Sequence, residues 1–174
     1  MSLNEIGGRQ LEWRQPEALR RCYQLADEGR EIASLRFESS FGSRATGECG
    51  GNSWTFKRTG FFATRVTVRV AGADNDLAVF TPTWTGGGSV EFNWGPSYRL
   101  RKKNFWGTEW AFEREDESAA VTLSGLHGVL KQGARATVPP SAAGLPETPV
   151  LLLLIWYVRL LLAEDEGAAV VACG

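Results

Sequence analysis

The sequence predicts a mainly β fold: a closed antiparallel β-barrel of about twelve strands around a central hydrophobic C-terminal α-helix. Three observations predict it. Apolar and polar residues alternate in short runs through the first three quarters of the chain. Polar or glycine-containing breaks punctuate those runs roughly every ten residues, the spacing of successive hairpins. One unbroken apolar run, Val150 to Ala163, follows a proline-rich connection near the C-terminus.

The strands are expected between about residues 11 and 138. Tyr23 to Ile32 reads as a hairpin about the Asp27-Glu28-Gly29 break, and Trp54 and Phe56 alternate with Thr55 and Lys57. Val66, Val68 and Val70 share one face, opposite Arg65, Thr67 and Arg69. Past breaks at Gly72–Asp76 and Gly86–Gly88, Val90, Phe92 and Trp94 alternate with Glu91 and Asn93. Gly95-Pro96 then separates these from Tyr98 and Leu100, which alternate with Arg99 and Arg101. Trp110 and Phe112 point opposite to Ala111 and Glu113, before a break at Glu115–Glu117. Successive side chains leave a strand on opposite sides, so each run has one buried face. Aromatic and β-branched residues suit that face. Most of the seven tryptophans are expected to pack toward the helix.

The whole chain, 1–174, reads as a single domain. Residues 139–149 form the connection and about 149–164 the core helix. Thr148 is a suitable N-cap, Pro149 a suitable first helical residue and Gly167 a stop. A helix apolar on every face must be surrounded by protein or by lipid. The run of about 14 residues falls short of the roughly 20 that span a bilayer. Arg159 also interrupts it, and Glu164-Asp165-Glu166 closes it. A sheet of about twelve strands encloses more space than its own side chains fill, and the helix supplies that filling. Arg159 then needs an inward carboxylate or an exit at a barrel mouth.

Composition excludes several function classes. The net charge of −1 gives no basic stripe for nucleic acid. A lone histidine, His127, and three dispersed cysteines, Cys22, Cys49 and Cys173, give no zinc spacing, disulfide framework or catalytic triad. His127 reads as a structural strand residue. No catalytic residue, metal or cofactor is expected. The N-terminus has no basic-then-apolar leader, and the expected location is cytoplasmic, with peripheral membrane association and no transmembrane span.

The order of parts resembles the tubby C-terminal-like superfamily, which includes tubby domains, phospholipid scramblases and LURP-one-related proteins. The resemblance covers roughly Leu11 to Ala163. Trp54-Thr-Phe-Lys-Arg-Thr-Gly-Phe-Phe62 and the Tyr23–Ile32 hairpin are similar to strand pairs of the LURP-one-related branch. It implies a barrel threaded by its last helix and a non-enzymatic binding or scaffold role, with anionic phospholipid or a protein as partner. The acidic run follows the helix here, whereas the scramblase calcium segment precedes it, and no tubby lipid-binding residue maps onto this chain.

The candidate site is a basic stretch beside aromatics: Arg99, Arg101, Lys102 and Lys103, followed by Phe105 and Trp106. Cations hold an anionic headgroup while rings enter the interface. The competing interpretation is a solvated strand face running into a charged turn. Glu113, Glu115, Asp116 and Glu117 lack the alternation of an EF-hand loop and read as a solvated hairpin tip. Gly86–Gly88 reads as a flexible turn. The alternative function is an apolar-ligand carrier, with the helix outside the lumen or plugging one end.

Overall fold

The structure is a computed structural model and describes residues 3–60, 64–84, 86–127 and 132–172. A short 3-10 turn (Leu3–Ile6) leads into twelve strands. The first six are β1 (Gln10–Arg14), β2 (Cys22–Asp27), β3 (Arg30–Phe37), β4 (Ala45–Cys49), β5 (Asn52–Thr59) and β6 (Arg65–Val70). The others are β7 (Ala78–Pro82), β8 (Gly88–Phe92), β9 (Ser97–Lys102), β10 (Trp110–Glu113), β11 (Ala119–His127) and β12 (Gly133–Thr137). Two helices follow, α1 (Pro140–Ala143) and α2 (Thr148–Ala172).

Every strand pairs antiparallel with its sequence neighbours, and β1 pairs with β12 to close the barrel. The alternating pattern becomes an inside and an outside. Leu11 and Trp13 of β1 point inward while Gln10, Glu12 and Arg14 are exposed, and most other strands repeat the scheme; β10 departs from it, with Ala111 and Glu113 buried as well as Trp110 and Phe112. The outer face is therefore polar and the inner face apolar, the reverse of an outer-membrane barrel.

The bore holds α2. Leu151 to Tyr157 are buried on all sides, so the all-round apolar surface finds its partner in the sheet. Trp156 stacks on Trp13 at 5.6 Å between ring centroids and meets Tyr23 edge-on at the same distance. Tyr157 stacks on Phe37 at 5.5 Å and donates a 2.5 Å hydrogen bond to the Ser43 carbonyl. Gly47 of β4 makes room for the helix, since a Cβ there would lie 2.9 Å from Leu153 Cδ1. A filled bore removes the space that a carrier would need.

Several expectations are corrected. Thr148 is not the cap: the Glu147 carbonyl accepts the first helical bond, from the Leu151 N–H, and the Thr148 hydroxyl donates to the Ala142 carbonyl at 2.5 Å. Gly167 does not stop α2, which continues to Ala172. One glycine costs a helix only about 1 kcal/mol, and alanines follow it. The connection is not plain coil, because Pro139 and Pro140 start α1, where a missing N–H does no harm. Gly87 and Gly88 are not a flexible turn but are packed tightly against neighbouring strands. Trp84 does not pack inward but is exposed, and Trp94, expected on a buried strand face, is half-exposed. Val70, expected on the buried face, is also half-exposed at the end of its strand. Phe61, Phe62 and Cys173 lie outside the described residues, as does the side chain of His127.

Burial sets the response to alkali. It pushes the Cys49 thiol from 9.0 up to about 11 and, against the opposing charge of Arg21, the Tyr23 hydroxyl from 10.0 up to about 12. Burial raises Tyr157 as well. The unfolded chain sheds these protons at the ordinary values while the fold retains them. Stability thus falls as pH rises between the two values, by about 1.4 kcal/mol per pH unit for each such proton. Urea midpoints are expected to be level near neutrality and to drop between about pH 9 and about pH 12.

Candidate functional site

Strand direction alternates around the barrel, so the loops after β1, β3, β5, β7, β9 and β11 gather at one mouth. The other turns gather at the opposite mouth. Helix α2 enters at that opposite end. There Glu147 is buried and accepts hydrogen bonds from the Trp94 indole at 2.9 Å and the Tyr98 hydroxyl at 3.4 Å. The helix leaves through the first mouth, where its acidic run is held. Arg21, in the β1–β2 loop, donates to Glu164 at 2.5 Å and to the Gly42 carbonyl at 2.6 Å, and lies 3.7 Å over the Phe37 ring. Arg58 of β5 donates to both oxygens of Asp165, at 3.0 and 2.8 Å.

Arg159 reaches this exit without an inward carboxylate. Its guanidinium lies 4.9 Å over the Trp110 ring. Burial lowers its pKa, with Glu166 opposing the shift. The ring face and the nearby mouth together accommodate the charge, at an energy of about 0.5–2 kcal/mol for such a contact.

The exit mouth also carries the β9–β10 loop, and the structure separates the candidate residues into two groups. Lys102, Phe105 and Trp106 are at the mouth. Phe105 and Trp106 are 92% and 82% exposed and meet edge-on at 5.4 Å, while the Lys102 ammonium is 5.1 Å over the Trp110 ring. Asn104 holds the loop by accepting from the Thr108 N–H at 3.0 Å. Arg99, Arg101 and Lys103 lie instead along the outer wall. Lys103 pairs with Glu113, and Arg101 is 3.6 Å from the same carboxylate. Glu113 is thus not part of a solvated hairpin tip: it is buried beneath two cations. Only Glu115, Asp116 and Glu117 form the exposed tip.

Between β8 and β9 runs an open groove of about 610 Å³, lined by Ser89, Arg99, Leu100, Arg101 and Lys102 together with Thr83 and two glycines. No carboxylate lines it. Trp84, in the β7–β8 loop beside it, is fully exposed. Gly86 of that loop would meet the Lys102 ammonium at 3.3 Å if it carried a Cβ, so the loop lies against the end of β9. The arrangement offers cations to an oxyanion and free ring faces to an apolar layer. Trp84 is the member that sequence reasoning misses. Its signal is its place in an odd-numbered hairpin loop, readable once a meander is assumed.

Among the described residues no group of three or more His, Cys, Asp or Glu side chains converges as a metal site would require. No described helix is long and apolar enough to cross a membrane.

No family model and no curated protein sequence matches the chain. The structure is similar to the crystal structure of a protein from Arabidopsis thaliana, with a TM-score of 0.54 and 12% identity over 87% of this chain and 94% of that one. At that identity the likeness shows the fold alone.

Proposed function

We propose that this barrel is a non-enzymatic binding domain of the tubby-like type that docks peripherally on an anionic phospholipid surface from the cytoplasmic side. One observation carries the reading. Phe105, Trp106 and Trp84 stand exposed beside a groove lined by three cations and no carboxylate. Water-exposed rings are an uncompensated expense in a free domain, and a patch rimmed by polar residues marks an interaction surface. Aromatic side chains settle at the headgroup level of a bilayer. Cations near an anionic surface gain about 1 kcal/mol each. The polar outer wall and the filled bore leave the mouth as the face suited to contact lipid, and the resemblance of the sequence to the tubby-like superfamily supports the same role.

Flotation with phosphatidylserine-containing and pure phosphatidylcholine vesicles tests it. Binding is expected to the first only and to weaken with salt. Arg99→Glu with Lys102→Glu is expected to reduce it about tenfold or more. Both side chains are exposed, so the far-ultraviolet circular dichroism is expected to be unchanged. Failure of the wild type to bind the anionic vesicles ends the proposal.

A further inference from the structure

The same mouth carries a second set of exposed apolar tips. Leu19, in the β1–β2 loop, is 91% exposed, and Phe41, in the β3–β4 loop, is fully exposed. Together with Trp84, Phe105 and Trp106 these are the most exposed large hydrophobic side chains among the described residues, and all five belong to loops of one mouth. Leu19 also holds φ +69°, a left-handed conformation that a leucine adopts at a cost of about 1–2 kcal/mol. A loop that only had to turn would place glycine or asparagine there. The strain holds an apolar side chain in water.

Below these tips the outer wall is again basic. A groove of about 610 Å³ between β2 and β3 is lined by Arg20, Arg21 and Arg36 and also by Glu17 and Glu38, the latter paired with Arg44 at 3.0 Å. Arg20 pairs with Glu17 at 3.0 Å and Arg21 with Glu164, while Arg36 makes no ion pair among the described residues. About a quarter turn round the ring, on β5 and β6, a groove of about 660 Å³ presents Lys57 and Arg65 among the hydroxyls of Thr55, Thr59 and Thr67. Its two carboxylates, Asp74 and Asp76, belong to the β6–β7 turn at the opposite end, and Asp76 is held by Arg69 at 2.7 Å.

The position of this second set decides its meaning. The β2–β3 groove is six strands from the β8–β9 groove in a ring of twelve, which is diametrically opposite. Two basic, apolar-tipped arcs on opposite sides of one mouth meet a flat surface together only if the barrel stands on that mouth. The docking mouth has exposed carboxylates of its own, but Glu17, Glu38, Glu164 and Asp165 are neutralised by Arg20, Arg44, Arg21 and Arg58. At the far end Glu28, Glu48, Asp74, Glu115, Asp116 and Glu117 are exposed, and an anionic surface repels them.

We infer that the barrel docks end-on on an anionic phospholipid bilayer, through a second arc that has Leu19, Phe41 and Arg36 opposite the first and continues through Lys57 and Arg65, a quarter turn from it. The inference rests on the lipid reading above and adds a second, independent contact that fixes orientation. Both arcs engage one surface, so removing either lowers binding by more than its own contacts, through loss of effective concentration.

Two variants of the full chain test the second arc. One is Leu19→Ser with Phe41→Ser, the other Arg36→Glu with Lys57→Glu; all four side chains are exposed. Each is compared with the wild type and the Arg99→Glu/Lys102→Glu variant on phosphatidylserine-containing vesicles, with circular dichroism confirming the fold. Each second-arc variant is expected to lose about tenfold in vesicle affinity, and the charge reversal to flatten the salt dependence. If the wild type and these variants bind equally while the first-arc variant does not, docking is one-sided and the end-on inference falls while the lipid reading stands. If the wild type does not bind anionic vesicles, both fall. If inorganic phosphate at moderate concentration displaces the wild type completely, with ionic strength held constant, the site takes a free anion and end-on docking is overturned.

Discussion

Trp156→Ala is expected to destabilise the barrel by about 3–5 kcal/mol, read as a shift in the urea midpoint with little change in slope. Trp156 is among the largest fully buried side chains and sits where α2 crosses the sheet seam. Its ring joins Trp13 of β1 to Tyr23 of β2, both at 5.6 Å. Alanine would leave a cavity that the closed sheet cannot collapse to fill, because its circumference is fixed by twelve hydrogen-bonded pairings. Trp156→Phe separates packing from polarity. The indole N–H of Trp156 has no hydrogen-bond partner among the described residues, and neither does that of Trp13. An unpaired buried donor costs about 1–3 kcal/mol, so phenylalanine recovers part of what it loses in contact area. The phenylalanine variant is therefore expected to remain much nearer the wild type than the alanine variant.

A single methyl at Gly88 is expected to be nearly as damaging. Its Cβ would lie 2.5 Å from the Thr81 carbonyl oxygen and closer still to the Phe80 ring. The first is backbone in the paired strand, where Thr81 and Pro82 face Ser89 and Gly88, so relief requires β7 and β8 to separate. Overpacking of this kind costs about 1–3 kcal/mol, and the backbone contact places Gly88→Ala at the upper end. Gly167→Ala provides the control. Nothing lies near a Cβ at Gly167, which is inside α2. There alanine is expected to stabilise by about 0.5–1 kcal/mol, because glycine loses more conformational freedom in a helix. The two substitutions, identical in chemistry, should shift the thermal midpoint in opposite directions.

Alternation along each strand makes the inside and outside of the barrel legible, and the unbroken apolar run identifies the filling of the bore. Both signals are local. Side-chain period decides which face a residue takes, and a helix without a polar stripe has to be enclosed. What escapes the sequence depends on closure. The pairs Arg21–Glu164 and Arg58–Asp165 join residues more than a hundred positions apart. No window of sequence contains them. Glu113 reads as a solvated turn residue because its partners, Arg101 and Lys103, reach it across a strand pair. The candidate site is half legible: the basic and aromatic run is contiguous, but its division between wall and mouth is not. Trp84 and Trp94 mislead because an aromatic ring by itself suggests burial, whereas each falls past the end of its strand. Hairpin parity corrects this. In a meander, apolar residues in every second loop point to one end of the barrel.

The order of parts along the chain has a consequence for biogenesis. The element that fills the bore is synthesised after all twelve strands. Until α2 emerges from the ribosome, the inward faces of those strands have nothing to pack against, and the outer edges of β1 and β12 lack reason to meet. A sheet held open in this way exposes long unpaired edges, the surfaces most prone to intermolecular pairing. Emergence of α2, rather than completion of any earlier segment, is then the event that permits folding, and a chaperone that shields strand edges would act before it.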